Sequence, residues 1–305
     1  MELSFVLVNY KVGEELVKCL RSLRPIPDKV QCEFIVVDNS SPEASRFLSS
    51  STLPNLRVIS AQRNSGYAAA CNLGARQSNS PYICFLNPDV RLMEGDLRGM
   101  LDWMDRNPSV GLLGPRIMNS DGTRQYSARS FPNWTVAFAH RYSILTRVFP
   151  NNPISSQYLQ THLNGAVTPV DWVSGCCLLA RKEAFDAVDG FDEGYFLFFE
   201  DVDLAHRAKQ KGWQCVYYPS VAFTHSIGGS RVHLQDQGVR AKHQSAQRYF
   251  TRHVIRNPIL AQAFAMAVSL RSFFSEKSTG TAANRDVTQS PTRWLAAKTP
   301  AKQPS

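Results

Sequence analysis

Apolar positions in the first ninety residues fall in solid blocks, and polar, turn-forming clusters separate them. Leu3–Val8 is a continuous apolar run, which predicts a strand buried on both faces. Glu14–Leu23 carries leucines at 16, 20 and 23, a helical spacing that Pro25 and Pro27 bring to an end. A second buried strand is predicted at Glu33–Val37, a short helix at Pro42–Ser50 and a third strand at Leu56–Ser60. Asn64-Ser65-Gly66-Tyr67 opens an alanine-rich helix, Ala68–Gln77, and Tyr82–Leu86 is the fourth strand. This strand–helix alternation predicts an α/β fold: a mostly parallel central sheet with right-handed crossovers, flanked by helices. Ligands of such sheets sit beyond the C-terminal strand ends. Asp38, Asn64 and Asp89 each fall just after a strand, so one ligand could collect all three.

Further along, the pattern predicts a helix at Leu92–Arg106, a strand at Val110–Ile117 and a hairpin turn at Asp121-Gly122. The aromatic-rich stretch Phe131–Phe149 reads as helix, and Asn151–Thr168, polar with Pro and Gly, as a mobile loop over a site. The apolar run Gly194–Phe199 stops abruptly at Glu200, Asp201 and Asp203. A polar-faced helix, two short strands and His225, in front of Ile227, Gly228 and Gly229, are expected next. Asp236–Arg256 reads as a helix with Arg248, Arg252 and Arg256 on one face. Ile259–Leu270 is apolar, too short to span a bilayer but suited to its interface, and Ser275–Ser305 is expected to be disordered.

Charge sharpens this division. Residues 1–230 carry 22 Lys/Arg against 22 Asp/Glu, whereas residues 231–305 carry 12 against 3, which is the whole net charge of +9. A neutral body with a basic C-terminal quarter argues against nucleic-acid binding by the main domain. It points instead to contact with an anionic membrane surface, the plain alternative being a solvated basic tail. Seven cysteines without a CxxC pair, and a first strand that begins without a basic n-region or long apolar segment, lead us to expect reduced thiols and a cytoplasmic protein, peripheral on the inner face of the cell membrane.

The chemistry-bearing positions each have a plainer reading. Asp38 can accept hydrogen bonds from a base or ribose, or simply cap a turn. Asn64 and Gly66 open a helix, where backbone N–H groups can meet a diphosphate, or form an ordinary turn. Asp89, fixed by Pro88, suits Mg²⁺ or Mn²⁺ held against phosphate oxygens, with His225 as a second ligand; imidazole favours Mn²⁺. The alternative for His225 is a core histidine bonded to a carbonyl. Glu200 and Asp201 are adjacent in a helix and point about 100° apart, so one would be a general base and the other a structural partner. Their plainer role is to complement the helix dipole.

VVDNSS, NSGYAAACN, FLNPDV, GFDEGYFLFFEDVDL and THSIGGS, in that order, resemble bacterial glycosyltransferase family 2, with the GT-A fold, and within it the rhamnosyltransferase-like enzymes of polysaccharide assembly. The resemblance spans roughly residues 1–255. It implies a nucleotide-diphosphate sugar donor, with dTDP-rhamnose the best analogy, a divalent metal, inversion at the anomeric carbon, and a glycan or lipid-linked acceptor. It further implies that Asp38 contacts the nucleotide, Asn64 and Gly66 lie by the diphosphate, Asp89 and His225 hold the metal, Asp201 is the base, and Trp172 and Gly175 line the sugar pocket. Asn87 stands where many members carry the first aspartate of a DxD motif; Cys176, Cys177 and Phe198 also depart from the usual residues. The expected division is a GT-A catalytic domain at 1–230, a basic amphipathic helical extension at 231–274 and a tail at 275–305. The rivals are a catalytically silent nucleotide-sugar-binding scaffold and a nucleotidyltransferase. The place of the latter's glycine-rich loop is taken by Asn9-Tyr10-Lys11-Val12-Gly13. No GxGxxG follows a strand, which argues against a dehydrogenase.

Overall fold

The structure, a computed structural model, describes residues 1–26, 28–39, 53–133, 153–161, 163, 165–226, 235–264, 266 and 268. Its first half follows the predicted alternation: β1 (Leu3–Asn9), α1 (Gly13–Ser22), β2 (Cys32–Asp38), β3 (Leu56–Ser60), α2 (Tyr67–Ala75) and β4 (Tyr82–Leu86). The predicted helix Pro42–Ser50 lies outside the described residues. Strand β1 runs between β2 and β4, and β3 lies beyond β2, all parallel. Strands β1, β2 and β4 are buried along their whole length, as their largely apolar runs require; Ser4 and Glu33, buried within β1 and β2, bond to each other at 2.6 Å.

The second half comprises β5 (Val90–Glu94), α3 (Leu97–Arg106), β6 (Val110–Asn119), β7 (Arg124–Gln125), β8 (Ala128–Arg129), α4 (Pro153–Leu159), β9 (Thr168–Val170), β10 (Trp172–Val173), β11 (Cys177–Arg181), α5 (Lys182–Asp186), α6 (Glu200–Gln210), β12 (Gln214–His225) and α7 (Gln235–Tyr249). A π-helical turn, Phe250–Val254, closes α7. The sheet order is β3-β2-β1-β4-β11-β6-β12-β5. Strand β11 enters antiparallel between β4 and β6, while β6 and β12 form a long parallel ladder. The sheet is therefore mixed, with its longest ladders parallel.

Three local expectations are corrected. The start of the predicted helix Leu92–Arg106 is strand β5, paired with β12, and Gly95 (φ 117°) separates it from α3. Its helix-like leucine and methionine spacing is overridden by a sheet partner distant in sequence, as His225 opposes Val90. The two short strands expected before His225 are one strand, β12, whose register shifts between Tyr218 and Ala222, around Pro219, which has no N–H to donate. The expected loop 151–168 contains α4 and the start of β9. The hairpin turn at Asp121-Gly122 forms as expected between β6 and β7, with the Gly122 N–H on the Asn119 carbonyl at 3.0 Å. Of the stretch Phe131–Phe149, only 131–133 is described.

Side chains alternate between two apolar layers, one on each face of the sheet. On one face Phe5 stacks on Phe34, their ring centroids 5.3 Å apart, above the leucines of α1. On the other, Phe85 meets Phe185 at 5.1 Å and Phe191 at 4.9 Å. Tyr195 and Tyr249, both fully buried, complete this second layer. Tyr249 brings the C-terminal extension into the same core as the strands. Burial of side chains of this size contributes about 1.5–3 kcal/mol each.

Candidate active site

The topology gathers the sequence-predicted residues at one edge of the sheet. Asp38 ends β2 opposite Asn9 of β1, and β11, next to β4, begins just after Gly175 and Cys176. Asp38 is 1% exposed, and its Oδ1 accepts a hydrogen bond from Asn9 Nδ2 at 3.1 Å. The next residue, Asn39, organises the turn before α2. Its Nδ2 donates to Asn64 Oδ1 (2.9 Å) and to the Gly66 carbonyl (3.1 Å), and its Oδ1 accepts from the Ser65 N–H (3.1 Å). The Gly66 N–H donates to Asn64 Oδ1 at 3.1 Å, and the Tyr67 N–H to the Phe196 carbonyl at 2.7 Å. The N–H groups of residues 65, 66 and 67 thus have partners within the protein. Gly66 has φ 88°, and a Cβ there would lie 2.5 Å from the Phe196 carbonyl oxygen. Glycine is needed for the turn's conformation and for its approach to the 194–199 segment.

At the end of β4, the Asn87 N–H donates to the Cys176 carbonyl at 2.9 Å, and Asp89 turns inward, 5% exposed. Pairing of β12 with β5 brings His225 beside it, with Nε2 3.4 Å from Asp89 Oδ1. The two atoms are close enough to attract but not aligned as a hydrogen bond, so Asp89 Oδ1 is buried without a hydrogen-bond partner among the described residues. His225 Nδ1 lies 3.0 Å from Gln125 Oε1, which fixes the ring and leaves Nε2 facing the carboxylate. Burial alone would lower the His225 pKa; the Asp89 carboxylate and the Cys176 thiol outweigh it and push it up to about 10. A proton thus sits favourably between Nε2 and Oδ1, and a divalent ion would have to displace it. An orphaned carboxylate oxygen beside an oriented imidazole fits a divalent ion. No cluster of three or more His, Cys, Asp or Glu residues completes a metal cage among the described residues.

The third group is at the start of α6. Phe198 and Phe199 both adopt the left-handed conformation, φ 68° and 66°, which costs non-glycine residues about 1–3 kcal/mol each. Glu200 and Asp201 follow on the first helical turn. Asp201 Oδ2 accepts the Gly175 N–H at 2.7 Å, and its Oδ1 the Val202 N–H at 2.9 Å. Tyr67 Oη donates to the Gly175 carbonyl at 3.1 Å, so α2, the 174–176 turn and α6 meet here. Burial pushes the Glu200 carboxyl well above its ordinary 4.5, with the Asp201 charge adding to the effect. Burial also raises Asp201 above its ordinary 3.8, against the Gly175 and Val202 N–H groups and the Arg129 guanidinium, which favour the ionised form. Glu200 Oε2 is buried without a hydrogen-bond partner among the described residues. Both carboxyls are raised by burial, but only Asp201 receives two backbone N–H groups, which favour its ionised form, while Glu200 Oε2 has no such donor among the described residues.

Trp172 is 6% exposed; its indole N–H donates to the Ser130 carbonyl at 2.8 Å, and its ring lies under Arg129 at 5.3 Å. Its placement is that of a support for the site. The structure also brings in residues that the pattern did not single out. Asn39 lies inside the VVDNSS motif and was legible there as a second strand-end polar group. Gln125 and Arg129 carry no sequence signal of their own, and Tyr67 stands inside the NSGYAAACN motif without a role assigned to it; each reaches the site through a pairing or turn with a distant segment.

A mixed α/β sheet with a parallel first half, an acidic residue at the tip of the fourth strand and a helix-borne carboxylate at the same edge defines the GT-A class of glycosyltransferases. Residues 4–189 match the family described as "Glycosyl transferase family 2", and the chain belongs to that family. It is a rhamnosyltransferase-like member: it is 34% identical over 254 residues to the N-acetylglucosaminyl-diphospho-decaprenol L-rhamnosyltransferase of Mycobacterium tuberculosis (strain ATCC 25618 / H37Rv), covering 80% of this chain and 82% of the relative. It is 28% identical over 181 residues to Rhamnosyltransferase WbbL of Escherichia coli (strain K12), covering 58% of this chain and 64% of that one. Among solved structures, GalNAc-T7 with UDP, GalNAc and Mn²⁺ superposes with a TM-score of 0.58 at 14% identity, over 91% of this chain and 54% of that one; the likeness is one of fold.

Proposed function

We propose that this glycosyltransferase moves L-rhamnose from dTDP-rhamnose to a hydroxyl of a lipid-linked acceptor, an N-acetylglucosaminyl-diphospho-polyprenol, with inversion at the anomeric carbon. The observation that carries the reading is the placement of Asp201, held by the Gly175 and Val202 N–H groups at the sheet edge shared with Asp38 and Asp89. The choice of sugar and acceptor rests on the likeness to the mycobacterial rhamnosyltransferase.

In this reading Asp38 contacts the nucleotide, and Asn64, Gly66 and Asn87 border the diphosphate. Trp172 and Gly175 shape the sugar side, and Glu200 supports the reacting pair. Asp89 and His225 would hold Mg²⁺ or Mn²⁺, which when bound neutralises charge on the leaving diphosphate. Asp201 accepts the proton of the acceptor hydroxyl. The acceptor oxygen bonds to the sugar C1 from the face opposite the diphosphate, the C1–O bond to the β-phosphate breaks, and dTDP leaves. Incubation with dTDP-L-rhamnose, a short-chain N-acetylglucosaminyl-diphospho-prenol and Mn²⁺ should release dTDP in step with a rhamnosylated lipid of inverted configuration. Nucleotide binding without transfer, across a panel of donors, would overturn the reading.

The acceptor's lipid suggests a protein that works at a membrane surface. Ile259, Leu260 and Met266 are 76%, 60% and 62% exposed on the last described helical stretch. No helix among the described residues is long and apolar enough to cross a bilayer. We expect the protein to sediment with anionic phospholipid vesicles and Leu260→Asp to weaken that binding; equal binding by the variant would remove this patch from the interface.

A further inference from the structure

The segment from Asp192 to Asp203 carries the strained Phe198–Phe199 pair and, directly after it, Glu200 and Asp201. Consecutive non-glycine residues in the left-handed region persist only where their surroundings over-determine them. Besides the contacts that α2 and the Gly175 turn make with it, this segment is held by the C-terminal extension, which lies beyond the 4–189 stretch matched to the family.

Arg248 of α7 grips Asp192 through both carboxylate oxygens, Nη2 lying 3.0 Å from Oδ1 and 2.8 Å from Oδ2. Arg252 reaches the same carboxylate. The Arg248 guanidinium lies 5.4 Å from the centroid of the buried Tyr195 ring and packs so closely on Gly194 that a Cβ there would sit 2.4 Å from Arg248 Cζ. Ser245 Oγ donates to the Leu197 carbonyl at 2.8 Å, and Tyr249 packs on Phe199 with centroids 5.5 Å apart. At the far end, His253 Nε2 lies 2.7 Å from Oδ1 of Asp203, a carboxylate with no exposed surface that also takes Arg207 Nε at 2.6 Å and Tyr195 Oη at 3.3 Å. His253 stands on the π-helical turn Phe250–Val254, whose wider winding re-aims side chains relative to an α-helix.

We propose that His253, together with the Asp192–Arg248 pair, is a positioning element for the catalytic base: the C-terminal extension clamps both ends of the 192–203 segment and thereby fixes Asp201 against the Gly175 N–H. This rests on the reading of Asp201 as the base. The clamp explains why basic residues concentrate after residue 230 without invoking a membrane for all of them: Arg248 and Arg252 both answer Asp192. It also makes the extension part of the active site.

The test compares His253→Leu and His253→Gln with the native full-length protein, reading amide hydrogen exchange by peptide together with kcat and KM for dTDP-L-rhamnose. Expected for His253→Leu is faster exchange confined to 196–204, with strands β1 and β4 unchanged. Turnover should fall about 10–100-fold, as for a small displacement of a reacting group. Donor KM should stay within about twofold, because the nucleotide side of the site is not clamped. Glutamine, which can still donate to Asp203, should restore most of both. Should the leucine variant not fold, Ser245→Ala, which removes one bond to the Leu197 carbonyl, is read the same way with a smaller effect. Normal exchange and turnover in folded His253→Leu would overturn the proposal, as would loosening spread over the whole sheet with donor binding lost. Asp201→Asn, run in parallel, separates the two claims: if it stays active while His253→Leu is slow and locally loose, the clamp stands and the base assignment falls.

Discussion

Among single residues, environment rather than type decides the chemistry. Glu200 and Asp201 are adjacent carboxylates, yet burial leaves the first without a hydrogen-bonding partner for Oε2 among the described residues, while the second receives two backbone N–H groups. Gly66 is a second case. Its φ of 88° and the Phe196 carbonyl beside it leave no place for a methyl group. Gly66→Ala should therefore destabilise the protein by more than about 1 kcal/mol, lowering its melting temperature, since alanine resists positive φ. A variant melting with the native protein would mean that the turn tolerates another conformation. The strand-end carboxylates were legible because each stands where an apolar run stops. Arg129 was not, because its influence on Asp201 depends on the pairing of β8 with β10, forty residues apart in sequence. His225 was legible as a metal-type residue, but its orienting partner Gln125 is placed by the β6–β7 hairpin.

Elements were most legible where burial on both faces goes with largely apolar runs, as in β1, β2 and β4. The opening of the predicted helix Leu92–Arg106 failed because β5 is half-exposed and short, so its pattern fits either period; pairing with β12 decides it. Helix α6 reads correctly from its acidic first turn, but the role of Asp203 does not follow from helix capping. Burial alone would raise the Asp203 pKa; His253 and Arg207 outweigh it and hold the carboxyl below its ordinary 3.8. A carboxyl whose folded pKa is depressed adds stability above its unfolded value, and that stability is lost as pH falls through the lower, folded value. Melting temperature measured from neutral pH downward should thus fall below about pH 4 in the native protein. Asp203→Asn should be less stable at neutral pH and show a flatter acid limb; parallel curves would assign acid sensitivity to other carboxylates.

Across the molecule, the sheet and the C-terminal helix share a core among the described residues, joined at Tyr249 and at the Asp203–His253 contact. The charge asymmetry was legible in sequence, but not that part of the basic extension answers acidic groups on the main body. The assembled site depends on five separated segments meeting at one sheet edge: Asp38, Asp89, His225, the 174–176 turn, and the start of α6. Its central claim is that Asp201 is the general base, and Asp201→Asn tests it most directly, because amide for carboxylate keeps size and leaves the nucleotide side intact. With dTDP-L-rhamnose and the lipid acceptor at saturation and neutral pH, the account predicts a fall in kcat of about 100-fold or more, with nucleotide affinity by calorimetry within about twofold of native. Turnover within a few-fold of native would contradict it and move the base to another group.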